Sequence, residues 1–193
     1  VVVGDEAGTA ITTGDYNVGV GYDSLLRTTT GERNSAFGSF ALFTNISGAN
    51  NVANGFQSLY NNTANYNTAV GSLSLLKNTT ASANTAVGYS SLKENTTGTA
   101  NVAVGKDAML ANTTGGTNVA MGADALTANT TGSSNTALGQ ASLEANTTAS
   151  FNTGVGRNAL ALNTTGANNT ALGYNSLLAN TTGANNVAVG SLT

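Results

Sequence analysis

A block of the form Asn-(Val/Thr)-Ala-(Val/Leu)-Gly returns along the whole chain, and its spacing leaves few folds open. It begins at Asn17, Asn34, Asn51, Asn67, Asn84, Asn101, Asn118, Asn135, Asn152, Asn169 and Asn186. Every step is 17 residues except Asn51 to Asn67, which is 16. The lost residue is expected between Leu59 and Asn61, because Leu59-Tyr60-Asn61 stands where the next repeat has Leu75-Leu76-Lys77-Asn78. A unit this short cannot bury its apolar positions alone, so it must stack on its neighbours.

Numbering each repeat from its Asn makes the pattern legible. Position 4 is apolar, as in Val70, Val87, Val104, Met121, Leu138, Val155 and Leu172, with Asn54 the exception. Position 5 is Gly from Gly4 to Gly190. Position 9 is Leu or Met: Leu75, Leu92, Met109, Leu126, Leu143, Leu160 and Leu177. Positions 12 to 15 read Asn-Thr-Thr-(Gly/Ala), a turn sequence in which Asn and Gly tolerate left-handed backbone. A helical array is disfavoured, since Gly costs about 1 kcal/mol in a helix interior and Thr and Asn are poor helix formers. A short β-branched block closed by Gly reads as a strand and a turn. The expected fold is all-β, a parallel β-solenoid of about eleven 17-residue coils, with residues 1–193 as a single domain. Coils rise about 4.8 Å each, giving a rod roughly 50 Å long. Positions 4 and 9 are expected to form two internal core ladders, and position 1 an Asn ladder whose amides pair along the stack.

Position 3 is small throughout: Ala36, Ala53, Ala69, Ala86, Ala103, Ala120, Ala137, Ala171 and Ala188, with Gly19 and Gly154. Period-two alternation places it opposite position 4, hence outside if position 4 is inside. An outward row of Ala suggests close packing against a partner chain, and makes this row the candidate trimer interface. The other reading is a cramped corner inside the coil.

Several functions are excluded or unsupported by composition. There is no His and no Cys, so no Ser-His-Asp triad, Cys nucleophile or ordinary zinc site can be built. The chain is not expected to be an enzyme, and no cofactor or metal is expected. Six basic against nine acidic residues, a net charge of −3, argue against nucleic acid, which needs clustered Lys and Arg. No apolar run approaches the ~20 residues that span a bilayer. The carboxylates Asp107 and Asp124 share position 7 in consecutive coils. They are candidate neighbours for a cation, set against the plainer reading as solvated surface charges.

The blocks Asn101 to Ala108, Asn-Val-Ala-Val-Gly-x-x-Ala, and Asn135 to Ser142, Asn-Thr-Ala-Leu-Gly-x-x-Ser, resemble the head repeats of YadA-type trimeric autotransporter adhesins. They also resemble repeat arrays of phage and algal-virus tail fibres. The resemblance covers essentially the whole chain. It implies a left-handed parallel β-roll, three chains side by side, on the outside of a cell or virion. Those heads repeat at about 14 or 15 residues, so the longer Asn-Thr-Thr-Gly corner here departs from them. The expected role is a structural or adhesive segment of a fibre, extracellular or at a cell or virion surface. Its expected partners are its own copies, side by side and end to end, and a cell-surface glycan or host receptor. The chain begins and stops within a repeat, at Val1 and Thr193, and is expected to belong to a longer fibre.

A second family shares part of the block: plant ice-binding β-rolls use Asn-x-Val-x-Gly repeats. The Thr residues for an ice surface would be Thr79, Thr96, Thr113, Thr130, Thr147, Thr164 and Thr181, with Thr80, Thr97, Thr114, Thr131, Thr148, Thr165 and Thr182 beside them. Adjacent residues in a strand point to opposite faces, so Thr-Thr is expected to give one outward column rather than two, and the following Gly marks a corner rather than a flat face. The Asn-x-Thr sequons that recur at the same corner, such as Asn78-Thr79-Thr80, are explained by turn geometry without glycans. Tyr22, Phe56, Tyr89 and Tyr174 stand at position 6, just past the Gly turn, where exposed aromatics can stack on sugar rings; they alternate irregularly with Ser39, Ser72, Lys106, Ala123, Gln140 and Arg157, which equally marks plain surface.

Overall fold

A computed structural model describes residues 1–193. Every assigned element is a short strand: β1 (Val2–Val3), β2 (Val18–Val20), β3 (Ser35–Phe37), β4 (Val52–Asn54), β5 (Thr68–Val70), β6 (Thr85–Val87), β7 (Val102–Val104), β8 (Val119–Met121), β9 (Thr136–Leu138), β10 (Thr153–Val155), β11 (Thr170–Leu172) and β12 (Val187–Val189). They pair in chain order into one parallel sheet. The register is constant at one repeat, Ala103 against Ala120 and Ala120 against Ala137. Parallel neighbours need a long crossover, and here the rest of each coil supplies it. The molecule is the β-solenoid of about eleven coils that the period predicts.

The coil running from Asn101 to Thr117 shows how the turns are made. Three linked turns follow the strand: Ala108 N–H to the Gly105 carbonyl, Leu110 to Asp107, and Asn112 to Met109. Gly105, Asp107 and Met109 all have positive φ, at 139°, 55° and 50°. The left-handed residues send their own N–H groups to other coils, Asp107 up to the Tyr89 carbonyl at 2.9 Å and Met109 down to that of Ala125 at 3.0 Å. Of 130 backbone hydrogen bonds, 109 lie outside the strands, so cohesion between coils runs around the whole circumference. Gly is required at position 5: at Gly139, φ is 136° and an added Cβ would lie 2.6 Å from the Gly156 carbonyl oxygen.

The core is built from one of the two expected ladders and not the other. Leu75, Leu92, Met109, Leu126, Leu143 and Leu160 are fully buried, with Leu177 half-buried at the end of the rod. Position 4 lies outside. Val70, Val87, Met121 and Leu172 are exposed, Met121 by 46%, and Val104, Leu138 and Val155 are half-buried. The inward residue of each strand is position 3. Ala36, Ala53, Ala69, Ala86, Ala103, Ala120, Ala137 and Ala171 have no exposed surface, and Ala188 is half-buried in the last coil. These alanines are therefore core, and no partner chain can pack on them. Space decides the side. A Cβ built on Gly19, in the same row, would meet the Leu25 Cδ1 at 3.1 Å. The position 9 side chain fills the coil so far that only a methyl fits opposite it.

Two buried Asn ladders complete the interior. At position 1, each backbone N–H bonds to the Oδ1 of the Asn one coil before, as Asn118 does to Asn101 at 2.9 Å. Some steps add an amide-to-amide bond, as Asn118 Nδ2 to Asn101 Oδ1 at 3.2 Å. At position 12, the side-chain amides bond directly, Asn112 to Asn95 at 2.8 Å and Asn129 to Asn112 at 2.7 Å. The 16-residue coil loses its residue in this second corner, not between Leu59 and Asn61. Leu59 and Asn62 keep their buried places. The Asn62 amide reaches the Ala64 carbonyl two residues on, at 2.9 Å, where Asn45 spans three to Gly48. One Thr of the corner is what is missing, since a loop there shortens without disturbing either ladder.

Candidate interaction surfaces

The outer surface divides into three long faces, because each repeat position forms a row parallel to the rod. No cavity opens on it, and no three His, Cys, Asp or Glu side chains converge to hold a metal ion. No helix long and apolar enough to cross a membrane is present.

The first face is the outside of the sheet. Row 2 holds Val, Thr and one Ser; row 4 holds Val, Leu, Met and Phe, with Asn54 alone polar. Neither row carries a charge in any coil. All the charged residues stand instead at positions 6, 7, 10, 11, 16 and 17, from Asp5 to Arg157. This strip, roughly 50 Å long and about 10 Å wide, is apolar along row 4 apart from Asn54 and mixes Val with Thr along row 2. Sequence reasoning placed row 4 inside and so missed this face.

The second face is the Thr corner. The N–H groups of Thr113, Thr114 and Gly115 all converge on one acceptor, the Thr130 carbonyl of the next coil. Such a bend is not a strand, and it turns both Thr columns outward. Position 13 is half-buried to exposed, and position 14 is exposed from Thr80 to Thr182. The position 13 hydroxyls donate to the same carbonyls, Thr96 to Thr113 at 3.1 Å and Thr113 to Thr130 at 3.0 Å, which fixes their rotamers. The sequon Asn residues behind them, including Asn78 and Asn112, are fully buried with their amides engaged.

The third face follows the linked turns and carries most of the charge and five clustered aromatic rings. Phe40 packs edge-on to Tyr22 and Phe56, with centroids 5.3 and 6.1 Å apart, and Phe43 stacks on Tyr60 at 4.9 Å. Arg27 lies over the Phe43 ring at 5.3 Å. The Tyr22 phenol is held above its ordinary value by the Asp23 carboxylate first, then by burial and by Glu6 and Asp5. Further along, Lys106 bonds to Asp107 at 2.7 Å. Its ammonium is held above its ordinary value by the hydrogen bond and charge of Asp107, with Asp124 adding to the effect. The Asp107 carboxylate is thus already paired with a lysine of its own coil.

The chain matches no protein-family model, no curated protein and no solved structure.

Proposed function

We propose that this solenoid is a rigid structural and adhesive segment of an extracellular or virion fibre. In this reading it assembles as a homotrimer through the outside of its sheet. The observation that carries the reading is the absence of charge from rows 2 and 4 in a chain that charges six other positions. A solvent-facing strip drifts towards Lys, Glu and Ser, whereas a strip packed on another chain keeps Val, Leu and Met. The rows also differ in bulk. Row 4 of one chain can seat against the smaller row 2 of the next, a heterologous contact that closes around a threefold axis. The rod then presents identical rows from each chain, so weak contacts at its surface add by avidity. Molar mass from light scattering after size exclusion tests this. Three chains are expected, and a monomer across the accessible concentration range overturns the assembly.

The Thr corner supports a second reading, an ice-binding solenoid. Two outward Thr columns, one with fixed hydroxyls, form a regular array over seven consecutive coils. Partition into a growing ice front, lost on replacing Thr97, Thr114 and Thr131 with Lys, would establish it. Exclusion from the ice would remove it.

A further inference from the structure

Three position 6 aromatics stand in alternate coils of the third face: Tyr22, Phe56 and Tyr89, with Ser39 and Ser72 between them. Each is about half exposed, at 48%, 47% and 52%. The intervening coils carry their apolar group one residue later, at Phe40 and Leu73. Phe40 braces the first two rings edge-on. Beside each exposed ring the next residue is polar: Asp23, Gln57 and Ser90. Asp23 is nine-tenths buried, yet its Oδ1 has no hydrogen-bond partner. The fold does not need these rings, because other coils make the same turns with Lys106, Ala123 or Gln140 at position 6.

Spacing identifies what would use them. Coils rise about 4.8 Å, so rings in alternate coils repeat at about 9.6 Å. In an extended β-1,4-linked glycan successive pyranose rings turn over, and the same face returns every second sugar, over a length close to two coil spacings. We propose that Tyr22, Phe56 and Tyr89 form a platform for an extended β-1,4-linked polysaccharide lying along the rod. The sugars' C–H faces lie on the rings, and their hydroxyls face solvent and the half-buried Gln57, since Asp23 and Ser90 are buried. This rests on the reading of the chain as a surface-attachment rod, and gives that reading a ligand class.

Calorimetric titration of the intact chain with cellohexaose and with chitohexaose tests it. At least one hexaose binds, and its disaccharide binds at least tenfold more weakly because it covers a single ring. Phe56→Ala weakens the hexaose by about tenfold, within the range of one aromatic stacking contact. Phe56→Tyr restores binding, and Tyr174→Ala, a lone ring at the same position, leaves it unchanged. Which hexaose binds distinguishes a glucan from an N-acetylglucosamine polymer. Absence of binding by both hexaoses at millimolar concentration overturns the proposal. So does an equal effect of Phe56→Ala and Tyr174→Ala, or a change of assembled mass in Phe56→Ala, which would make the ring a subunit contact. Mass and titration fail independently. A three-chain rod that ignores both sugars removes only the platform, and a monomer that binds one removes only the assembly.

Discussion

Asn101 and Asn112 donate their side-chain amides to one acceptor, the Gly115 carbonyl, at 2.9 and 3.0 Å. The same convergence recurs at Gly98, from Asn84 and Asn95, and at Gly132, from Asn118 and Asn129. In these coils the two ladders meet in a clasp that engages both Asn amides. Asn112→Asp tests the clasp without changing shape. It replaces the donors to Gly115 and Asn95 with oxygen facing oxygen inside the rod. Burying an unpaired charge among acceptors is expected to cost about 3 kcal/mol or more, read as a lower urea midpoint. An unchanged midpoint would mean the clasp does not hold the coil.

One coil already lacks half of its clasp. Thr28 occupies position 12 between Ile11 and Asn45 in the rod; it is fully buried and its hydroxyl has no partner. The Gly31 carbonyl there receives only Asn17, at 2.7 Å. Thr28→Asn restores a donor to Gly31 and an acceptor for Asn45. A gain of about 1 kcal/mol is expected, seen as a higher melting temperature, and a loss would show that the site cannot seat the amide.

The period, the strand block and the position 9 core were legible in the sequence, because Leu and Met recur there with no polar substitute. The side of the strand was not. Alternation fixes that Ala103 and Val104 point opposite ways, but not which of them points in. That choice belongs to the volume that Met109 and its stacked equivalents occupy across the coil, which no strand residue reports. Left-handed backbone at Asp107, Met109 and Thr117 was invisible for a related reason. Their side chains do not prefer it, and the hydrogen bonds between coils impose it. The position 12 Asn read as a turn residue because Asn-Thr-Thr-Gly is a turn. Its strictness, Asn from Asn45 to Asn180, was the sign of a ladder. Position 6 reads as irregular because Tyr22, Phe56 and Tyr89 recur in every second coil and Tyr174 stands apart from them.

The inverted strand faces give a paired test. Ala120→Arg drives a long charged side chain into space that accepts one methyl, and is expected to unfold the neighbouring coils. Val104→Glu places its charge outside on row 4. That variant should keep the circular dichroism of the parent while its assembled mass falls towards one chain. An Ala120→Arg rod that stays folded would return row 3 to the surface.

Replacing Leu143 with Asp probes how far one coil supports the next. Leu143 is fully buried within the Leu and Ala rows, and its backbone bonds onward to Ala159. The substitution removes a buried side chain worth about 2–5 kcal/mol when cut to Ala, and adds a carboxylate with no partner. In a solenoid each coil touches only its neighbours, so stability is a sum of local terms. The damage should stay local: amide exchange should quicken from about Thr127 to Leu160, while Leu59 to Leu92 keep their protection. Uniform loss of protection would mean that the rod folds as one cooperative block, and unchanged exchange would put position 9 outside the core.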